Sequence, residues 1–206
     1  MNSTRRAAHL LSVMAILAAV ASLGIAGTVQ KTEVSVFQPP VPTGPSRSGE
    51  CWTDSIAVAR TGVWRCMLDN EIHDPCFSSP GLKDAVICDA DPSRKNPGFV
   101  VKLTKPLPKP SSDEPPNPRP WLVKLADGTS CEIETGTISM VDGIALPYDC
   151  SDSHECNDSG CPYMTGLAEH FQAGKVWTAT KVAFSSNDKG TRLISRKRVP
   201  VAAVWK

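Results

Sequence analysis

The sequence predicts a mainly β protein, an antiparallel meander of hairpins with one short helix, held together by disulfides. Three observations carry this reading. Short runs of alternating apolar and polar residues recur along the second half, Asp-Gly pairs stand between such runs, and eight cysteines lie beyond an apolar N-terminal stretch.

Residues 1–29 read as a signal peptide or an N-terminal membrane anchor. Arg5 and Arg6 precede an uncharged stretch from Leu10 to Val29, and Ala19-Val20-Ala21 offers a small-x-small cleavage pattern. The two arginines keep that end cytoplasmic, so everything after residue 30 is expected on the far side, in a secreted or envelope location. Any contact with membrane would then run through this segment alone, if it is retained. An oxidising compartment favours bridges, and Cys51, Cys66, Cys76, Cys88, Cys131, Cys150, Cys156 and Cys161 are all expected to be paired.

Residues 30–50, with the run QPPVPTGPSRSGE, read as a Pro-rich spacer, and residues 51–206 as a single exported disulfide-rich domain. In its first half, SIAVAR and DAVICD suggest strands, and TGVWRCML a strand or a helical turn. FVVKLTK (99–105) sets Phe99, Val101 and Leu103 on one face, and WLVKLAD (121–127) does the same with Trp121, Val123 and Leu125. The tract 105–120 between them holds seven of the eighteen prolines and reads as a long loop joining these two strands in a hairpin. Asp127-Gly128 and Asp142-Gly143 predict tight turns in a meander from about 120 to 150. KVWTATKVAF and TRLISRKRVPVAAVW form a further hairpin across SSNDKG. TGLAEHFQAG supplies the short helix, with Thr165 as cap, Leu167 and Phe171 on one face, and Gly174 at its end.

Composition bounds the chemistry. Twenty-two Lys and Arg balance twenty-one Asp and Glu to a formal +1, which argues against nucleic acid as a partner. CSDSHECNDSGC (150–161) raises a metal site as an alternative. Its spacing C-x₃-H-x-C-x₄-C matches no common zinc pattern, and Asp149, Asp152, Glu155 and Asp158 recur at threes rather than at the alternating positions of a calcium loop. Covalent staples are the better reading. Cys131 lies on the strand after the Asp127-Gly128 turn and Cys150 ends the strand after the Asp142-Gly143 turn, so the two are expected to bridge, which leaves Cys156 with Cys161. The pairing among the first four is left open. Nothing in the chain calls for a cofactor.

Catalytic constellations are weak. Glu132 and Glu134 share one face of a strand, as two catalytic carboxylates would, but a solvated face is the simpler explanation. His73-Asp74 has no nucleophile motif beside it, and His170 has no patterned partner. The basic run RLISRKRV reads as protection of an edge strand, and Trp52 and Trp64 as packing on neighbouring disulfides.

The strings CWTDSIAVARTGVWRCMLDNEIHDPCF, VVKLTKPLP and WLVKLADGTSCEIETGTISMVDGIALPYDC resemble a module of exported bacterial proteins of actinobacterial type. That resemblance implies one exported domain built on six of these cysteines and implies no activity. The expected function is a non-enzymatic module binding an unknown ligand or partner. The alternatives are an extracytoplasmic hydrolase using Glu132, Glu134, His73 or His170, and a metal-binding protein using residues 149–161. A concave pocket lined by ionisable groups would favour the enzyme, and a flat Trp-bearing face would favour binding.

Overall fold

The structure is a computed structural model, and residues 31–110, 115–154 and 160–206 are described. The apolar N-terminal stretch and Cys156 lie outside the described residues. Among those residues there are strands and no helix, and none is long and apolar enough to cross the membrane as a helix.

Strand β1 (Glu33–Ser35) comes first, followed by β2 (Arg47–Asp54), β3 (Val63–Leu68), β4 (Glu71–Ser78), β5 (Ala85–Cys88) and β6 (Phe99–Leu103). Strands β2 to β6 form a five-stranded closed barrel: four antiparallel steps, then a parallel pairing of β2 with β6 from Arg47↔Val101 to Gly49↔Leu103. The β3–β4 turn is Asp69-Asn70, with φ of 49° and 67°. Two positive φ values match the right-handed twist of the strands, and Asn and Asp tolerate them best after glycine.

The second half contains β7 (Leu122–Leu125), β8 (Ser130–Ile133), β9 (Ser139–Val141), β10 (Ile144–Leu146), β11 (Tyr148–Cys150), β12 (Cys161–Leu167), β13 (Trp177–Asn187) and β14 (Gly190–Trp205). The order is β14-β13-β12-β11-β8-β7, and β7 pairs back onto β14, so this sheet also closes. Strand β1 lies parallel on β14, Glu33↔Ala203 to Ser35↔Trp205. Both Asp-Gly turns form. Asp142 and Gly143 (φ 51° and 75°) make the two-residue β9–β10 turn, whereas Gly128 (φ 92°) ends a three-residue loop closed by Leu125 N–H donating to Thr129 O at 2.8 Å.

The expected helix at 165–174 is absent. Thr165 to Leu167 belong to β12, paired with Lys181 to Ala183, and Gly166 lies so close to β11 that a Cβ there would stand 2.7 Å from Tyr148 O. Sheet pairing on both sides outweighs a weak helical period. Residues 168–176 instead form a loop pinned by the Gln172↔Thr178 bridge. The expected β6–β7 hairpin does not form either: β6 pairs with β5 and β2, β7 with β8 and β14, and the proline tract connects the two barrels. The segment expected as a spacer carries β1 and the start of β2.

The two barrels share one core. Ala57, Val58, Val63 and Phe77 of the first are buried against Trp121, Leu122, Val123, Tyr148 and Val204 of the second. Phe37, Phe77 and Trp121 meet pairwise with ring centroids 5.5 to 6.1 Å apart. The Tyr148 hydroxyl donates to Pro120 O at 2.5 Å, fixing the end of the proline tract, and burial holds its phenol well above the ordinary range. Within the second barrel, buried Lys181 donates to Asp152 at 2.6 Å and lies 3.7 Å from Asp127, joining β13 to the turns after β7 and β11.

Three disulfides lie wholly within the described residues, Cys51–Cys66, Cys76–Cys88 and Cys131–Cys150, and no described cysteine is free. Each joins residues directly opposite each other on neighbouring antiparallel strands. Such bridges point to an oxidising environment. Replacing both Cys131 and Cys150 with serine should lower stability by about 3 kcal/mol, because the bridge closes a separation of 19 residues in the unfolded chain. Urea denaturation measures this directly, and an unchanged midpoint would contradict it. Phe77→Ala, which empties the shared core, should cost about 3–5 kcal/mol in the same assay.

Candidate functional site

A concave cleft runs along the seam on the β8 side. Strand β8 alternates across its sheet: Cys131 and Ile133 are buried, while Glu132 and, just beyond, Glu134 face out. Strand β11 places Asp149 directly opposite Glu132. The facing wall comes from the first barrel, with Asp74 on β4 and Asp89, Asp91 and Arg94 after β5. Two adjoining cavities of about 270 and 240 Å³ share Asp74, Asp91, Arg94 and Glu132 in their linings.

The first-barrel wall is rigid for local reasons. Asp91 accepts from Ser93 N at 2.8 Å and Arg94 N at 3.2 Å, and its backbone exchanges two 2.9 Å hydrogen bonds with Asn96. This Asx-type turn is held on the second barrel by Lys124 Nζ, which donates to Ser93 O at 3.4 Å. Gly98 (φ 73°) closes it, where a Cβ would lie 2.2 Å from Cys88 O. Asp74 accepts from the Ser55 hydroxyl and from Ile56 N at 3.1 Å. Arg65 reaches both Asp74 (3.3 Å) and Thr135 O (3.2 Å), strapping the barrels together beside the cleft.

Negative charge dominates. Arg94 pairs with Asp91 at 3.4 Å and Arg65 with Asp74, whereas Glu132 and Glu134 have no ion pair among the described residues. Desolvation by the cleft walls, then Asp91, Asp89 and Glu134, push the Glu132 carboxyl up to about 7 against the pull of Arg94. Its side chain is still open to solvent on the cleft floor, so water screens part of this. The neighbouring carboxylates push in the same direction as burial. Burial and Asp149 raise Glu134, and burial raises Asp74 despite Ser55, Ile56 and Arg65. Asp127 and Asp152 go the other way: burial pushes each up, but for Asp127 the Thr129 hydrogen bonds, and for both the Lys181 ammonium, hold it below the ordinary carboxylate range.

The structure brings some expected site residues together and not others. Glu132 and Glu134 line one cavity. His73 is buried behind the cleft, its Nδ1 2.9 Å from Asp89 Oδ1 and its ring edge-on to Phe99. His170 is exposed on the loop after β12, away from the cleft lining. Of the candidate metal loop, Cys150 is bridged, Asp152 is held by Lys181 and Thr165, and Cys161 is in a disulfide; residues 155–159 lie outside the described residues. Trp64 packs among Cys51, Cys66, Cys76 and Cys88 as expected, with its indole N–H donating to Ser78 Oγ at 2.8 Å. Trp52 does not pack there: it is 43% exposed, and its ring lies 6.0 Å from the Arg65 guanidinium. Alternation along β2 turns it outward while Cys51 turns in. Asp89, Asp91 and Arg94 were not singled out from sequence. The one signal was D-A-D-P-S-R directly after an apolar strand, a turn-forming run that positions charges.

Comparison with known protein families, curated proteins and solved structures returned no match.

The opposing shifts set the pH dependence. Glu132 binds its proton more tightly folded than unfolded, so folding stability falls as pH rises from its ordinary 4.5 toward about 7. Asp127 and Asp152 bind theirs less tightly, and their contribution is lost as pH falls below the ordinary 3.8. Stability should therefore peak at mildly acidic pH, roughly 4–5. Glu132→Gln should flatten the upper limb and leave the acid limb unchanged, as read from melting temperature against pH. An unaltered upper limb would show that Glu132 does not titrate as described.

Proposed function

We propose that the chain is an exported, envelope-associated binding module, non-enzymatic, whose acidic cleft receives a cationic ligand or partner segment. One observation carries this reading. Glu132 and Glu134 make no ion pair among the described residues and stand on the floor of a cleft where Asp74, Asp91 and Asp149 add the same sign and Arg94 only partly offsets it. An amine or guanidinium entering there would relieve like-charge repulsion that the free protein sustains, so binding and deprotonation of Glu132 reinforce each other. The three bridges and the charged, then apolar, N-terminal stretch support export, with that stretch acting as signal or anchor. The resemblance to exported actinobacterial-type modules agrees with this placement.

A second reading, an extracytoplasmic hydrolase, is favoured by the concave shape of the cleft and by Glu132 itself. A carboxyl pushed up to about 7 in a cleft lined by further acidic side chains has the protonation behaviour of a general acid near neutral pH.

Calorimetric titration with a hexalysine peptide at low salt separates the two. The binding module should take up the peptide at a single site, weaken as salt rises, and lose at least tenfold in affinity in Glu132→Gln/Glu134→Gln. An absence of salt-sensitive binding, or binding indifferent to both substitutions, would refute it. Hydrolysis of a chromogenic glycoside panel that vanishes in Glu132→Gln would instead establish the enzyme.

A further inference from the structure

We propose that the cleft takes an amino sugar, free or as a residue of a glycan, a ligand in which an ammonium and a hydroxyl stand side by side. The inference rests on the cationic reading above and adds the second group that such a ligand must carry. Trp121 is the observation behind it. Its side chain borders the smaller of the two adjoining cavities, about 240 Å³, together with Asp74, Asp91, Arg94 and Glu132. Trp121 is only 1% exposed, and its buried indole N–H has no acceptor among the described residues. An indole N–H can only donate, and a buried donor without a partner is costly. The cavity it borders is the open space from which an acceptor can come. The ring itself is held in place, because Trp121 N–H donates to Trp205 O at 2.9 Å and Trp121 O accepts from Ile133 N at 2.8 Å.

Glu132 lines both cavities, and its carboxyl accepts no side-chain hydrogen bond among the described residues. One small space is therefore bordered by an unpaired donor and an uncompensated carboxyl. A lysine or arginine side chain would answer the carboxyl and leave the indole unpaired, since both carry donors alone. An uncharged sugar would answer the indole with a hydroxyl oxygen and leave the negative field unrelieved. An ammonium beside a hydroxyl meets both demands. The ammonium donates to Glu132, the hydroxyl oxygen accepts from Trp121, and the hydroxyl proton goes to Asp74 or Asp91. Arg94, anchored to Asp91 through Nε at 3.4 Å, adds a further donor for ring and hydroxyl oxygens.

Size and lining agree. Cavities of about 270 and 240 Å³ side by side fall within the roughly 300–1,000 Å³ of small-molecule sites. Both linings are mostly polar, which suits a hydroxylated ligand. A peptide strand lying in the open cleft would send only a side chain into the smaller cavity, and a basic side chain brings no acceptor for Trp121.

The test compares glucosamine, glucose and cyclohexylamine on the full oxidised chain at low salt, by calorimetry. Glucosamine should bind at a single site about tenfold more tightly than either of the others, the worth of one hydrogen bond to a charged group. In nitrogen-15 NMR the Trp121 indole N–H resonance should move downfield with glucosamine and not with cyclohexylamine. Trp121→Phe, which keeps an aromatic ring and removes the donor, should bring glucosamine down to the level of cyclohexylamine. Should that variant fail to fold, the indole resonance of the unaltered chain decides alone. A glucosamine trimer that binds more tightly than the monomer assigns the site to a glycan, and equal affinity assigns it to the free sugar. Glucosamine no tighter than cyclohexylamine, or an indole resonance unmoved at saturation because the donor serves a buried water only, would overturn the inference. Silence with glucosamine alongside salt-sensitive hexalysine binding strikes this inference and leaves the cationic reading standing, whereas silence with both strikes both.

Discussion

The contact on which the rest depends is the aromatic meeting of Phe37, Phe77 and Trp121. Each ring comes from a different part of the chain: the segment after β1, strand β4, and the residue before β7. Neither barrel alone has a large interior, and a small β domain buries too little to be comfortably stable. Joining the two cores across these rings supplies the missing burial. The same junction fixes the angle at which the barrel walls face each other, so the acidic cleft is a by-product of seam packing. Arg65, bound on one side to Asp74 and on the other to Thr135 O, holds that angle from the edge.

Much of the second half was legible in the sequence because its information is local. Asp142-Gly143 can satisfy two positive φ values, and the β13–β14 hairpin shows its alternation over many residues. The helix at 165–174 was misread because the i, i+4 pair Leu167 and Phe171 is also what a strand end and a returning loop present when both fold over Tyr148; Phe171 packs edge-on to that ring at 5.5 Å. The β6–β7 pairing was misjudged for a different reason. Alternation reports that a strand has a buried face and says nothing about which neighbour supplies it. Closure of β6 onto β2 is parallel and long-range, and leaves no local mark.

The candidate site shows the same division. Glu132 and Glu134 could be placed on one face from spacing alone, since a strand allows only two faces. Their surroundings could not, because Asp89, Asp91 and Arg94 arrive from another barrel. A carboxylate on an open strand face is ordinary; the same side chain with a second wall and further carboxylates opposite it holds its proton to a higher pH. The basic run on β14 has a simpler setting. Its residues line the edge of β14 that has no neighbour before Val201 among the described residues, in keeping with a strand that must resist pairing with strangers.

Strand β14 has a further consequence, one of timing. It pairs with β13 along most of its length and then, over its last residues, with β7 on one edge and β1 on the other. The second barrel therefore stays an open sheet, and β1 has no partner, until β14 has emerged. The first barrel needs nothing beyond β6 to close. A chain threaded through a membrane from its N-terminus would complete one barrel, with both of its bridges, while the other still waited for its closing strand. During that interval the apolar inner face of the unfinished sheet is uncovered, and the already folded neighbour, with Phe77 at its surface, is the nearest body able to shelter it.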